Sequence, residues 1–261
     1  MVYVGSTDGN VYALDASRGA LLWEHFIRTV SSSSPAVANG VVYIGSDDAN
    51  VYALDAGTGA LLWKYATGFI VRDSPAVANG VVYIGSDDAN VYALDAGTGA
   101  LLWKYTTGQA VESSPAVANG VVYAGSYDNN VYALNASTGA LLWKYTTGGE
   151  IALSAPAVAN GMVYIGSGDG NVYALNASTG ALLWRYTTSG AILDAAPAVA
   201  NGVVYIGSGD YRVYALDAST GALLWNYLTG GIVYSSAVVA DGVVYVGSND
   251  NNVYAFHLPN Q

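Results

Sequence analysis

Apolar and polar positions alternate along the chain in blocks rather than residue by residue. In residues 75–105 the run "PAVA" (75–78) ends at Asn79-Gly80, "VVYIGS" (81–86) ends at "DDAN", "VYALD" (91–95) at "AGTG", and "ALLWKY" (100–105) follows. β-Branched and aromatic residues fill the runs, and Gly, Asn and Asp fill the gaps, which predicts four short strands, A to D, joined by tight turns. Asn-Gly is a strong hairpin dipeptide. The runs are nearly continuously apolar. A sheet with one wet face alternates, whereas a sheet covered on both sides does not, so the pattern predicts stacked sheets with two dry faces.

The block repeats. Tryptophan falls at Trp23, Trp63, Trp103, Trp143, Trp184 and Trp225, a spacing of 40 to 41 residues. Residues 34–65 return unchanged at 74–105. Four strands per 40-residue unit are the signature of a propeller blade, and the 3.6-residue period of a helical repeat is absent. The expected fold is therefore an all-β propeller of four-stranded antiparallel blades, one domain over 1–261. B-type "VYxGS" and C-type "VYA" runs each occur seven times, against six D-type "ALLW" and six A-type runs. Seven blades, the first without strand A and the last without strand D, is the preferred count. Six is the alternative if the final A run (237–240) completes the N-terminal unit, and strand exchange between copies at open edges is a third solution.

The segment "ALDAGTGALLW" (53–63) resembles the tryptophan-docking motif of the pyrroloquinoline-quinone-type propellers, Ala-x-Asp-x-x-Thr-Gly-x-x-x-Trp between the third and fourth strands. Copies start at Ala13, Ala53, Ala93, Ala133, Ala174 and Ala215, and a seventh is cut short at Ala255-Phe256-His257. Arg18 stands for the Thr in the first copy, and Asn135 and Asn176 for the Asp. The six tryptophans are thus expected to be structural. The resemblance covers families of dehydrogenases and of non-catalytic assembly scaffolds. For the dehydrogenases it implies eight blades, a quinone stacked on a tryptophan, a calcium ion, an Asp base and often a vicinal disulfide.

Composition narrows the chemistry. The chain has no cysteine, and too few strand runs for eight blades. No insertion interrupts the repeats to build a cofactor floor, so no cofactor is expected and the chain is read as a non-enzyme. Net charge is −11, with eight scattered basic residues, which argues against nucleic-acid and anionic-membrane partners. No apolar run approaches the roughly 20 residues of a membrane helix. His25 and His257 are the only histidines, and nothing places either beside a nucleophile and an acid. Met1 runs directly into strand-like Val2-Tyr3-Val4, so no signal peptide is legible; either the protein is cytosolic or its export signal is missing from this sequence, and the family resemblance implies export.

Each B–C turn carries an Asp: Asp8, Asp48, Asp88, Asp128, Asp169, Asp210 and Asp250. "SDDAN" resembles part of a calcium loop but lacks the far bidentate Glu, so these residues are expected to close turns and no metal site is assigned. Asn135-Ala-Ser137 and Asn176-Ala-Ser178 match the glycosylation sequon.

Variation concentrates in the D–A connections. The position five residues before the first residue of strand A is apolar throughout (Val30, Ile70, Ala110, Ile151, Ile192, Ile232). The position three before reads Ser32, Arg72, Glu112, Leu153, Asp194 and Tyr234. With Asp73, Glu150, Tyr127, Tyr211 and Arg212, these residues are expected to ring the mouth of a central channel and bind a protein or small ligand. The favoured function is a non-catalytic scaffold binding through the D–A/B–C face. A quinone-type oxidoreductase, or a recently amplified or designed fold without a task, are the alternatives.

Overall fold

The computed structural model describes residues 1–30 and 32–257. They form strands and no helix, arranged in seven antiparallel sheets, five with four strands and two with three. The first sheet comprises Val2–Gly5, Asn10–Leu14 and Leu21–Phe26, and lacks strand A. The third is complete: Ala76–Ala78, Val81–Ser86, Asn90–Asp95 and Leu101–Thr106. The last comprises Val238–Ala240, Val243–Ser248 and Asn252–His257, and lacks strand D. This is a seven-bladed β-propeller fold. Val238 pairs with Tyr245, so the final A run belongs to its own blade and the six-blade count falls.

The chain divides into two compact units, one of Met1–Ala124 with Leu134–Ala140, the other of Gly125–Ala133 with the chain from Leu141 onward. In both units the turns segregate as strand alternation requires. D–A connections bond to B–C turns (Thr67 N–H to Ala49 O, 2.9 Å; Thr188 N–H to Gly170 O, 2.8 Å). C–D turns bond to A–B turns (Ala56 N–H to Gly40 O, 2.8 Å; Ala177 N–H to Gly161 O, 2.9 Å). Asn79 and Gly80 both have positive φ, 52° and 76°, the backbone of a type I′ hairpin. Strand A begins after Pro75, which has no N–H to give the ladder.

In the third blade two dry faces are found for strands B and C but not for D. Val82–Ser86 are all buried, whereas in Leu101–Thr106 only Trp103 is. Strand D is an edge, and it carries a bulge: Ala93 faces Trp103 but Leu94 faces Leu101, leaving Leu102 without an opposite residue. The extra residue turns the strand so that Trp103 points into the protein while Leu101 and Leu102 stay about half exposed.

Trp23, Trp63, Trp103, Trp143 and Trp184 each reach into the following blade. In the first unit the indole N–H of Trp23, Trp63 and Trp103 donates to the carbonyls of Ala56, Ala96 and Ala136; in the second, Trp143 and Trp184 donate to Ala177 and Ala218, all at 2.9 Å. A tyrosine of the same blade donates to the same carbonyl: Tyr43 to Ala96 at 3.1 Å, Tyr164 to Ala218 at 3.0 Å. Both lone pairs of the receiving carbonyl are therefore used. Gly99 faces the Trp63 ring with φ 72°, and a Cβ there would lie 2.7 Å from the indole. The corresponding receptor for Trp225 falls beyond His257, outside the described residues.

A second clamp sits at the B–C turn. The Asp88 carboxylate accepts from Asn90 N–H (3.0 Å) and Tyr92 O–H (2.6 Å) in its own blade, and from Gly68 N–H of the preceding blade (2.7 Å). Burial is the largest influence on its pKa and works upward. The hydrogen bonds from Tyr92, Asn90 and Gly68 outweigh it and hold the carboxyl below its usual range. Ala89, next in the turn, has φ 66°, an unfavourable conformation for a residue with a Cβ.

Trp63→Phe removes the indole N–H and part of the ring, so its stability is expected to fall by about 2–3 kcal/mol. Gly99→Ala combines left-handed strain of about 1–2 kcal/mol with overpacking. Both should lower the urea midpoint. Ala89→Gly should raise it, by about 0.5–1 kcal/mol, since relief of left-handed strain exceeds the entropy glycine adds to the unfolded chain.

Candidate functional site

The D–A connections are pinned by backbone bonds onto the B–C turns and by one apolar side chain each. The pinned amides belong to Val71, Val111, Ile151, Ile192 and Val233, each donating to the carbonyl of a turn serine (3.1–3.3 Å). Val71 and Val111 fill the space above Gly45 and Gly85, where a Cβ would lie within 2.5 Å of their methyls. In the connections to Pro75, Pro115 and Ala237 the anchor therefore lies four residues before strand A, not five. Ile70, Ala110 and Ile232 are only half-buried. The connections to Pro156 and Pro197 are one residue longer than those to Pro75, Pro115 and Ala237, a difference the column reading could not register. Two residues before strand A a side-chain oxygen accepts a glycine N–H: Ser33 from Gly45 (2.9 Å), Ser154 from Gly166 (3.2 Å), Ser235 from Gly247 (3.0 Å), and Asp73 from Gly85 (2.9 Å).

In the first unit the predicted residues converge around Arg72. Its Nη1 lies 2.9 Å from Asp87 Oδ2 and 2.7 Å from Glu112 Oε1. The guanidinium is about one-third exposed, while both carboxylates are largely covered. Asp73 is buried, and its Oδ1, like Oδ1 of Asp87, has no hydrogen-bond partner. Burial, then the negative charges of Glu112 and Asp87, carry the Asp73 carboxyl well above its usual range against the Gly85 amide. Asp87 is pushed up to about 6, chiefly by burial and next by Glu112, with Arg72 pulling the other way. Asp73 and Glu112 thus face inward rather than lining a rim, because a buried carboxylate needs the guanidinium and amide found there. Asp87 is the member that sequence columns missed. Its signal was the doubled Asp of "SDD", present only at Asp47 and Asp87, opposite the single Arg of the variable column. Ser32 lies apart, exposed beside a cavity of ≈ 330 Å³ lined also by Tyr3, Val30 and Pro35.

In the second unit the predicted residues are more open. Tyr127, Glu150, Leu153 and Asp194 are half-buried. Tyr234 is 36% exposed and Tyr211 47%. The segment carrying Tyr234 lies along the turn carrying Tyr211: Thr229 donates to Tyr211 O through both its N–H (2.7 Å) and hydroxyl (2.8 Å), and Val233 N–H to Ser208 O (3.3 Å). Tyr211 has φ 70°, where other copies place Gly9, Ala49, Asn129 or Gly170. A bulky residue in that conformation is held there by its surroundings. Arg212 is turned along its own sheet, donating to Asn226 Oδ1 at 2.5 Å.

The donor set does not fit the quinone and calcium that the resemblance would bring to a dehydrogenase. The turn carboxylates spend their oxygens on backbone and tyrosine donors, and among the described residues no group of three His, Cys, Asp or Glu side chains is placed to hold a metal. No described helix is long and apolar enough to cross a membrane.

Against known proteins, residues 1–68 match the family described as outer membrane protein assembly factor BamB. Residues 71–261 match the family described as beta-alanine-activating enzyme, beta-propeller. BamB from Moraxella catarrhalis is 26% identical, with a TM-score of 0.83 over 99% of this chain and 80% of that one. The computationally designed Ika8 protein is 23% identical, with a TM-score of 0.88 over 98% and 80% of the two chains, a likeness of fold alone. No curated protein matches the chain in sequence. These likenesses agree with the tryptophan-docking repeat of the pyrroloquinoline-quinone-type propellers. Since the larger match spans more than half of its length, the chain belongs to the β-propeller family described from the beta-alanine-activating enzyme.

Proposed function

We propose that this chain is a non-catalytic propeller scaffold that binds a partner through the face carrying its D–A and B–C loops, with Tyr211 and Tyr234 as the anchors in the second unit. The observation that carries this reading is Tyr211: an exposed aromatic kept in a left-handed backbone conformation that glycine would adopt at less cost. Backbone strain retained under an exposed aromatic is the mark of a residue placed for contact, and tyrosines are frequent anchors of recognition surfaces. The matched BamB family is described as an assembly factor, which fits a scaffold; the activity of the beta-alanine-activating enzyme is not carried over to this chain.

The test separates stability from recognition. Tyr211→Gly is expected to raise the urea midpoint, by about 0.5–1 kcal/mol of released strain. Peptides selected from a displayed library against the wild-type chain should bind Tyr211→Gly and Tyr234→Ala at least about tenfold more weakly, a loss near 1.4 kcal/mol. Thr58→Ala, on the opposite face, should leave them unaffected. If the opposite-face variant were the one that abolished binding, the assigned face would be wrong.

Mixing with pyrroloquinoline quinone and calcium is expected to give neither dye reduction with alcohols nor a shift in melting temperature. Turnover would overturn the scaffold reading.

A further inference from the structure

The cluster around Arg72 holds more negative charge than its one guanidinium can balance. Three carboxyl groups meet there: Asp73 from the 67–75 connection, Asp87 from the B–C turn of the third blade, and Glu112 from the 107–115 connection. Asp47, from the preceding blade's turn, adds a fourth negative charge that is felt by Asp87 and Arg72. Two oxygens, Asp73 Oδ1 and Asp87 Oδ1, are enclosed without any donor. An enclosed carboxylate oxygen with no donor is strongly disfavoured as a charge but tolerable as part of a neutral carboxylic acid.

We infer that Asp73 and Asp87, packed beside Glu112 and Arg72, form a proton-binding site, in which protons retained by the folded chain join the 67–75 connection to the 107–115 connection. Asp73 keeps its own proton, donating nothing to Gly85, whose N–H it accepts through Oδ2 at 2.9 Å. Asp87 holds a further proton beside Glu112, and both side chains touch Arg72 Nη1. Loss of these protons leaves at least two uncompensated charges beneath Val111, whose N–H to Ser86 O (3.1 Å) pins the 107–115 connection. Neutral to alkaline pH therefore loosens this corner, and mild acid tightens it.

The sign follows from linkage. Asp87 is raised in the fold to about 6, and burial raises Asp73 well above its usual range, against an ordinary value of roughly 3.9 in the unfolded chain. The folded chain binds more protons than the unfolded one through that window, so stability falls as pH rises across it. Turn carboxylates such as Asp88 and Asp250 are shifted the opposite way, Asp250 to about 2. Their contribution is complete above roughly pH 4 and is lost only on further acidification, so it leaves the window clear.

The experiment is urea unfolding of the full chain at intervals from pH 4.5 to pH 8, for wild type, Asp73→Ser and Asp87→Asn. Serine occupies the Asp73 position at Ser33, Ser113, Ser154 and Ser235, and Ser33, Ser154 and Ser235 accept the corresponding glycine N–H. The unfolding constant of wild type is expected to rise with pH, by up to about tenfold per pH unit for each linked proton. Asp73→Ser should be flatter and more stable than wild type at pH 8, its advantage shrinking toward pH 4.5. Asp87→Asn should remove part of the slope in the same way. Identical slopes in all three proteins would overturn the proposal. So would a carbon-13 carboxyl resonance of Asp73 that titrates below pH 4 in the folded wild type.

Discussion

Everything in this chain depends on one carbonyl per blade. The C–D turn presents an alanine carbonyl, and the preceding blade brings a tryptophan N–H and a tyrosine O–H to its two lone pairs. A buried carbonyl with both lone pairs used leaves no reason for water to enter, and the two rings, tilted at 44° with centroids 5.8 Å apart for Tyr43 and Trp63, fill the space around it. The contact requires a glycine under the indole and a bulge in strand D to aim the tryptophan. That is why Gly and Trp are spaced alike in every copy while the two leucines before each Trp are left to solvent. The turn aspartate is the complementary clamp on the other face, joining Gly68 of one blade to Tyr92 of the next through one carboxylate.

The fold was legible because its causes are local and repeated. Asn79-Gly80 announces a hairpin from two letters, and the strand bounds read at 81–86 are those observed. The tryptophan column was legible as architecture, although its acceptor and its tyrosine companion were not, since the acceptor carbonyl lies 33 residues from the tryptophan and 53 from the tyrosine. The wet outer strand escaped notice because "ALLWKY" is as apolar as its neighbours. Only the unpaired edge and the bulge decide that Leu101 and Leu102 stay outside.

The candidate site was legible as a place rather than as a set of contacts. Arg72 and Glu112 were picked out because they break a column, and they do meet. That Asp73 turns inward while Tyr234 stays open cannot be read from spacing. It depends on whether the side chain two residues before strand A must supply an acceptor to a glycine amide. Serine does so with one oxygen; Asp73 does so and has a second oxygen left over. Arg212 illustrates the converse: its position at the turn suggested the rim, but Asn226 across the sheet captures it.

The two identical stretches provide an internal control. Residues 34–65 and 74–105 have the same letters, so any difference between them is imposed from outside. Asn90 is buried and its side-chain oxygen accepts from Thr106 at 2.6 Å, whereas Asn50 is only half-buried and faces Ala66, which has no hydroxyl to offer. Gly45 sits under Ser33 and Gly85 under Asp73, so one wall meets a neutral oxygen and the other a carboxyl group with its surrounding charges. A chain built by copying blades keeps its stability in the copied part, since residues such as Trp63, Gly99 and Asp88 are satisfied by a neighbouring copy. Chemistry that distinguishes one blade from another therefore enters through the D–A connections and the B–C turns they rest on. Tyr211 and Asp73 show its two forms there, an exposed ring on a strained backbone and a buried acid in place of a serine. Each departs from what the repeat would adopt at lower energy, and each sits where the framework is closed tightly enough to hold it.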